Sequence, residues 1–154
     1  MDKDARNIYK NARQTAGLTQ ERWAELLGIS PDSVRRYEAG AMLPSDETVL
    51  MMAETTGILV LPLWHLRAKS AIAEDMLPDV PDVPLPQAVL KLLTSVKAVS
   101  SSVDNLIQIA SDGMVDNREE ALFEEIAGDL DDVIEAAIAV KCAGGARPVS
   151  YTHL

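Results

Sequence analysis

Apolar positions recur with helical spacing along the whole chain, in short groups at first and in long runs later. Ile8, Tyr9 and Ala12 give one face to a first helix that Gly17 ends. Thr19 reads as the N-cap of a second helix, Gln20 to Leu27, in which Trp23, Ala24 and Leu27 share a face. Gly28 stops it. Ser30-Pro31 is a strong helix start, with a capping hydroxyl and a proline at the first helical position. The third helix then runs to about Ala39, with Val34 and Tyr37 inward. Pro44-Ser45 opens a fourth, which brings Val49, Leu50, Met52 and Ala53 to the core and ends at Gly57. The segment Leu59 to Glu74 predicts a fifth helix packed under these four, with Trp64 and with His65 as a core or rim residue.

From Gln87 the pattern changes. Val89, Leu92, Val96, Val99, Val103, Leu106 and Ala110 are spaced alternately three and four residues apart, a heptad seam. Ser111-Asp-Gly113 breaks it. Asp116-Asn-Arg-Glu119 has capping-box form, and a broad apolar face follows from Leu122 to Ile138. Two long helices joined by a short turn predict an antiparallel hairpin. So wide a face cannot be buried by two helices alone, and the six seam residues from Val89 to Leu106 are expected to dimerise it into a four-helix bundle. Packing onto the chain's own N-terminal part is the alternative. Between the halves, residues 75–86 hold four of the eight prolines, so helix cannot run through, and an extended linker is expected.

Composition narrows the function. Of 154 residues, 47% are apolar and 4% aromatic, which favours helices over a β-sandwich. The longest apolar run, Ile58 to Leu63, is interrupted by Pro62 and falls far short of a membrane span, and Met1-Asp-Lys-Asp4 lacks a signal-peptide core. A cytoplasmic protein is expected. Cys142 is the single cysteine, and His65 and His153 lie far apart, so no disulfide, metal site or cofactor is expected. A calcium reading of Asp112-Gly113 and Asp116 fails, because Gln108 and Ala110 stand where ligands belong. No constellation supports catalysis, and no enzyme is expected.

Net charge is −10, unevenly spread. Residues 1–58 carry 7 basic and 9 acidic groups, whereas residues 87–143 carry 4 and 11. Phosphate attraction dominates nonspecific DNA affinity, so an acidic chain binds DNA only through a locally arranged face. The acidic second half should point away from a polyanion.

The run Leu18-Thr-Gln-Glu-Arg-Trp-Ala-Glu-Leu-Leu-Gly-Ile-Ser30, with Ser33-Val34 and Tyr37-Glu-Ala-Gly40, resembles the phage-repressor (Xre/Cro-type) helix-turn-helix family over about residues 5–58. The resemblance implies a third helix lying in the DNA major groove. It places Pro31, Asp32 and Arg36 where family members read bases. Gln20 falls at a phosphate-contacting position, and Arg13 and Glu38 at a pair tying the first helix to the third. A short helix with Ser30, Asp32, Ser33 and arginines near its start presents side chains and backbone N–H groups to a groove. Arg36 suits a guanine edge, Asp32 cytosine, and Arg35 a phosphate. Asp32 and Arg36, four apart with the acid first, suit each other equally well. The turn after the third helix, Gly40-Ala-Met-Leu-Pro44, lacks the basic residue usual in the family. Modest affinity for one domain, shallow salt dependence and a need for two copies follow.

The expected whole is all-α. A five-helix helix-turn-helix domain spans 1–74, a linker 75–86 and a hairpin 87–143, followed by a tail 144–154. The expected function is a dimeric repressor of prophage or mobile-element type acting on double-stranded DNA with a two-fold operator. An antitoxin whose acidic hairpin binds a basic toxin, and an interaction module that no longer binds DNA, remain open. The final Val149-Ser-Tyr-Thr-His-Leu154 matches the translation of a transposon end used in sequencing-library preparation. The expectation is that this tail is adapter sequence standing in place of the natural C-terminus.

Overall fold

The computed structural model describes residues 7–144; the tail, His153 included, lies outside them. Among the described residues the chain is all-helical, and it divides into two compact units, the first ending at Leu77 and the second spanning Pro78–Gly144.

In the first unit, capping side chains set the helix starts. Asn7 opens α1 (Ile8–Thr15), Thr19 opens α2 (Gln20–Leu27), Ser30 opens α3 (Pro31–Glu38) and Ser45 opens α4 (Asp46–Thr56), each by accepting a backbone N–H three residues on. Gly28 ends α2 at φ 65°, a left-handed conformation that a β-carbon would strain, and so turns the chain into α3. The expected fifth helix is two. Pro62 sits in the first turn of α5 (Leu61–Lys69), where its missing N–H costs nothing. Ser70 then leaves helical geometry at φ −134°, ψ 119°, and its hydroxyl caps α6 (Ala71–Met76).

These helices close over Trp23, Val34, Val49, Met52, Val60 and Leu61, all fully buried. Trp23 also donates its indole N–H to Thr55 Oγ1 at 2.9 Å. His65 is a core residue: the Tyr9 hydroxyl lies 2.7 Å from its Nδ1 and Asp46 Oδ1 3.3 Å from its Nε2. Burial pushes the Tyr9 phenol up to about 12.

In the second unit, α7 (Leu85–Ser101) and α8 (Val103–Ile109) form one arm, interrupted at Ser102. The return arm is α9 (Glu120–Gly144), and α7 and α8 both pack on it. Its start carries the expected capping box: Glu119 N–H donates to Asp116 Oδ1 at 3.0 Å, and Asp116 N–H to Glu119 Oε2 at 3.2 Å. Lys91 pairs with Asp132 across the arms at 2.9 Å. The proline-rich stretch is not all linker: Asp75 and Met76 end α6, Val80 is fully buried, and helix resumes at Leu85.

The hairpin's own buried stripe overlaps only in part with the six residues expected to dimerise. Ala88, Ser95 and Ile109 are the buried positions of the first arm, against Ile126, Ala136 and Ala139 on α9. Leu92, Val99 and Leu106 are half-buried beside them, whereas Val89, Val96 and Val103 are exposed. The expected dimer seam thus splits: three of its residues serve the hairpin itself and three face away. Small Ala and Ser at the buried positions allow close helix approach, which larger side chains would prevent. Burial raises the Cys142 thiol above its ordinary value. Among the described residues no helix is long and apolar enough to cross a membrane.

Candidate nucleic-acid interface

The residues that position α3 are polar and nearly enclosed. Arg13 on α1 donates from Nε to Glu38 Oε1 at 2.5 Å and from Nη2 to Oε2 at 3.0 Å, with side chains 11% and 4% exposed. Its remaining Nη1 donates to the Leu18 carbonyl at 2.7 Å. Gln20 Nε2 donates to Glu38 Oε2 at 2.7 Å. Burial would push the Glu38 carboxyl up, but the hydrogen bonds from Arg13 and Gln20 outweigh it and hold the carboxyl below its usual range. One carboxylate therefore joins α1, α2 and α3. Asn7 adds a fourth tie, donating to the Tyr37 carbonyl at 2.6 Å.

With Val34, Tyr37 and Glu38 turned inward, helical spacing turns Asp32 and Arg36 outward, one turn apart, with Arg35 and Ser33 on either side. Asp32 and Arg36 are both exposed and do not pair with each other, so both remain available to a groove. Ser30 and Ser33 are engaged locally: Ser33 N–H donates to Ser30 Oγ at 3.1 Å and the two hydroxyls lie 2.9 Å apart. Pro31 occupies the first helical position and offers no N–H.

Sequence reasoning missed how acids temper the basic side chains. Arg35 Nη2 lies 3.5 Å from Glu21 Oε1 on α2, and Arg22 Nη1 lies 2.6 Å from Glu25 Oε2. Both pairs are solvent-exposed and weak. The Arg22–Glu25 spacing of three is visible in the chain. The Glu21–Arg35 pair depends on how α2 and α3 cross, so no local pattern reveals it. Gln20, at the position expected to meet phosphate, is tied to Glu38 through one amide N–H, and this leaves its second amide N–H and its backbone N–H at the start of α2 as donors.

Residues 10–60 match the family model described as Helix-turn-helix, about a third of the chain. No curated protein and no solved structure gives a significant match. The matched segment runs from α1 through α4 and contains the Arg13–Glu38–Gln20 ties and the outward face of α3. Residues 10–60 thus form a helix-turn-helix domain, consistent with the Xre/Cro-like kind, and a domain of this kind supports DNA binding by a transcriptional regulator in general.

Proposed function

We propose that the protein is a sequence-specific transcriptional regulator that binds a two-fold operator as a dimer and represses, in the setting of a prophage or mobile element. It works in the cytoplasm, without a cofactor and without catalysis. The observation that carries this reading is the outward face of α3, where Asp32 and Arg36 stand free on a helix braced from behind by a shared buried carboxylate. Arg36 makes two hydrogen bonds to a guanine edge and Asp32 accepts from a cytosine amine about one base-pair step or two away. Arg35 and the start of α2 meet phosphates. Each domain offers few free cations, so two linked domains supply the affinity.

Selection from a random duplex pool with the purified full chain, at low salt, tests it. Enrichment of a two-fold sequence is the expected result, and its half-site spacing reports the dimer's geometry. No enrichment from folded protein would shift the reading to an interaction module. The exposed acids of α9, Glu124 and Asp131 among them, would then be the place to seek a basic partner such as a toxin.

A further inference from the structure

The hairpin of the second unit has two unlike flanks. Stepping back one residue from its buried seam reaches Lys91 on α7 and Asp132 on α9, which pair at 2.9 Å. In an antiparallel pair the two helices wind in opposite senses, so equal steps along both sequences reach the same flank. That flank is partly covered by the chain's own Pro81 and Val83, which line a small hollow with Gln87, Lys91 and Glu135. Stepping forward one residue reaches the other flank. There stand Val89, Leu93 and Val96 on α7, and Phe123, Leu130 and Ile134 on α9. Leu93 is 64% exposed, Leu130 40% and Ile134 46%. The Lys91–Asp132 pair also sets the level of the arms, and equal steps along the two antiparallel helices put Val89 level with Ile134 and Leu93 level with Leu130. The result is a ladder of apolar pairs, open on one side.

The size of this face argues for a protein occupant. With Leu85, Val103 and Ile107 continuing the stripe, the open apolar surface is on the order of 600 Å², the upper end for a monomer. Two such faces together bury about 1,200 Å², the lower bound of a stable specific interface. Charge argues for a second copy. Lys97 borders the stripe on α7, and Glu124 and Asp131 border it on α9, one residue beyond Val96, Phe123 and Leu130. Among the described residues none of the three forms an ion pair. Laying α7 of one copy over α9 of the other brings each Lys97 to the level of the opposite Glu124. Laying α7 on α7 would leave these charges unmatched.

We propose that the Val89–Leu93–Val96 and Phe123–Leu130–Ile134 flank is the homodimer interface, with α7 of each copy packed on α9 of the other about a two-fold axis along the bundle. This rests on the dimeric reading above and replaces the seam read from the sequence. In this arrangement both chains enter the bundle at the same end, as one two-fold operator requires.

Sedimentation equilibrium of the full chain at micromolar concentration tests the proposal, with helicity followed by circular dichroism. The wild type should sediment at twice 16.7 kDa. Leu93→Glu should weaken association roughly 100-fold or more with helicity retained in the monomer. Should that variant lose helicity, Ile134→Gln gives the same reading more gently. Lys97→Glu should weaken the dimer about 5-fold, and Glu124→Lys in the same chain should restore it. A monomeric wild type, or a dimer indifferent to Leu93→Glu, overturns the interface. A charge swap that fails to restore the dimer overturns the packing of α7 on α9. A Leu93-dependent dimer that enriches no DNA sequence upholds the interface and removes the operator reading instead, so the two fail separately.

Discussion

The two units solve burial differently. The first encloses large side chains completely, among them Trp23, Met52 and Leu61, behind six short helices that cross one another. The second buries mostly small ones, Ala88, Ser95, Ala136 and Ala139, and leaves Leu90, Leu93, Ile107 and Phe123 well exposed. Short helices at varied angles surround a core, whereas two long antiparallel rods side by side meet only along a line. A domain that must hold a recognition helix to within a fraction of an ångström needs the first arrangement. An element proposed to join two copies has use for the second, because its unburied half is what a partner would complete.

The largest effect should separate these regimes. Trp23→Ala removes a buried indole and its hydrogen bond to Thr55, and should destabilise the first unit by about 3–5 kcal/mol. Both tryptophans, Trp23 and Trp64, lie in that unit, so fluorescence in urea follows it alone. The wild-type fluorescence transition should be independent of protein concentration, and the helical signal of the second unit should shift with it. A concentration-dependent fluorescence transition would break the comparison.

Next comes the polar brace. Glu38→Ala leaves Arg13 enclosed without its carboxylate and should cost about 3 kcal/mol. The sign with pH follows from the depressed carboxyl. Protons bind more tightly to Glu38 in the unfolded chain, at about 4.3, than in the folded one. Its stabilisation is therefore complete above that value and is lost as pH falls through the lower folded value. Urea titrations of wild type and variant should differ by a constant amount near neutrality and converge in acid. A gap that widens in acid would refute the assignment.

A third effect concerns DNA directly. Arg36→Ala should weaken binding to the selected site by about 1–3 kcal/mol and relax preference at one base pair, seen by repeating the selection with the variant. Uniform weakening across sequences would recast Arg36 as a phosphate contact.

Much of the first unit was legible because caps and stops are local. Thr19, Ser30-Pro31 and Ser45 act on N–H groups three residues away, and Gly28 acts on its own φ angle. Ser70 escaped notice because a lone serine in a helical pattern is ambiguous until its hydroxyl is seen accepting from Ala73 N–H at 3.3 Å. The hairpin's register was harder for a different reason. A three-and-four spacing fits two adjacent stripes equally well, and the pattern weights large residues, so it selected Val89, Val96 and Val103 together with Leu92, Val99 and Leu106. Helix proximity is set by the small ones, Ala88 and Ser95, of which alanine carries a weak hydrophobic signal and serine none. At the interface the Arg13–Glu38 tie came only from the family resemblance. The Glu21–Arg35 pair came from neither source, because it depends on the crossing of α2 and α3.

That pair carries the smallest and sharpest expectation. Salt dependence of DNA binding counts cations that exchange counterions for phosphates. Arg35 lies 3.5 Å from Glu21, so docking it on a phosphate frees that phosphate's condensed ion but leaves a bare carboxylate that takes up cations in turn, which lowers the net release. It also brings Glu21, exposed at the start of α2, toward the DNA. Glu21→Gln frees the guanidinium and removes the repulsion while leaving the N-cap at Thr19 untouched. Affinity at low salt should rise by about 3–10-fold, and the slope of log affinity against log salt should steepen by up to ~0.9 per domain. The gain should vanish at high salt, where screening removes both terms. An unchanged slope would mean that Arg35 never reaches a phosphate, and the shallow salt dependence would then belong to the bare Ala41-Met-Leu43 turn rather than to an internal acid.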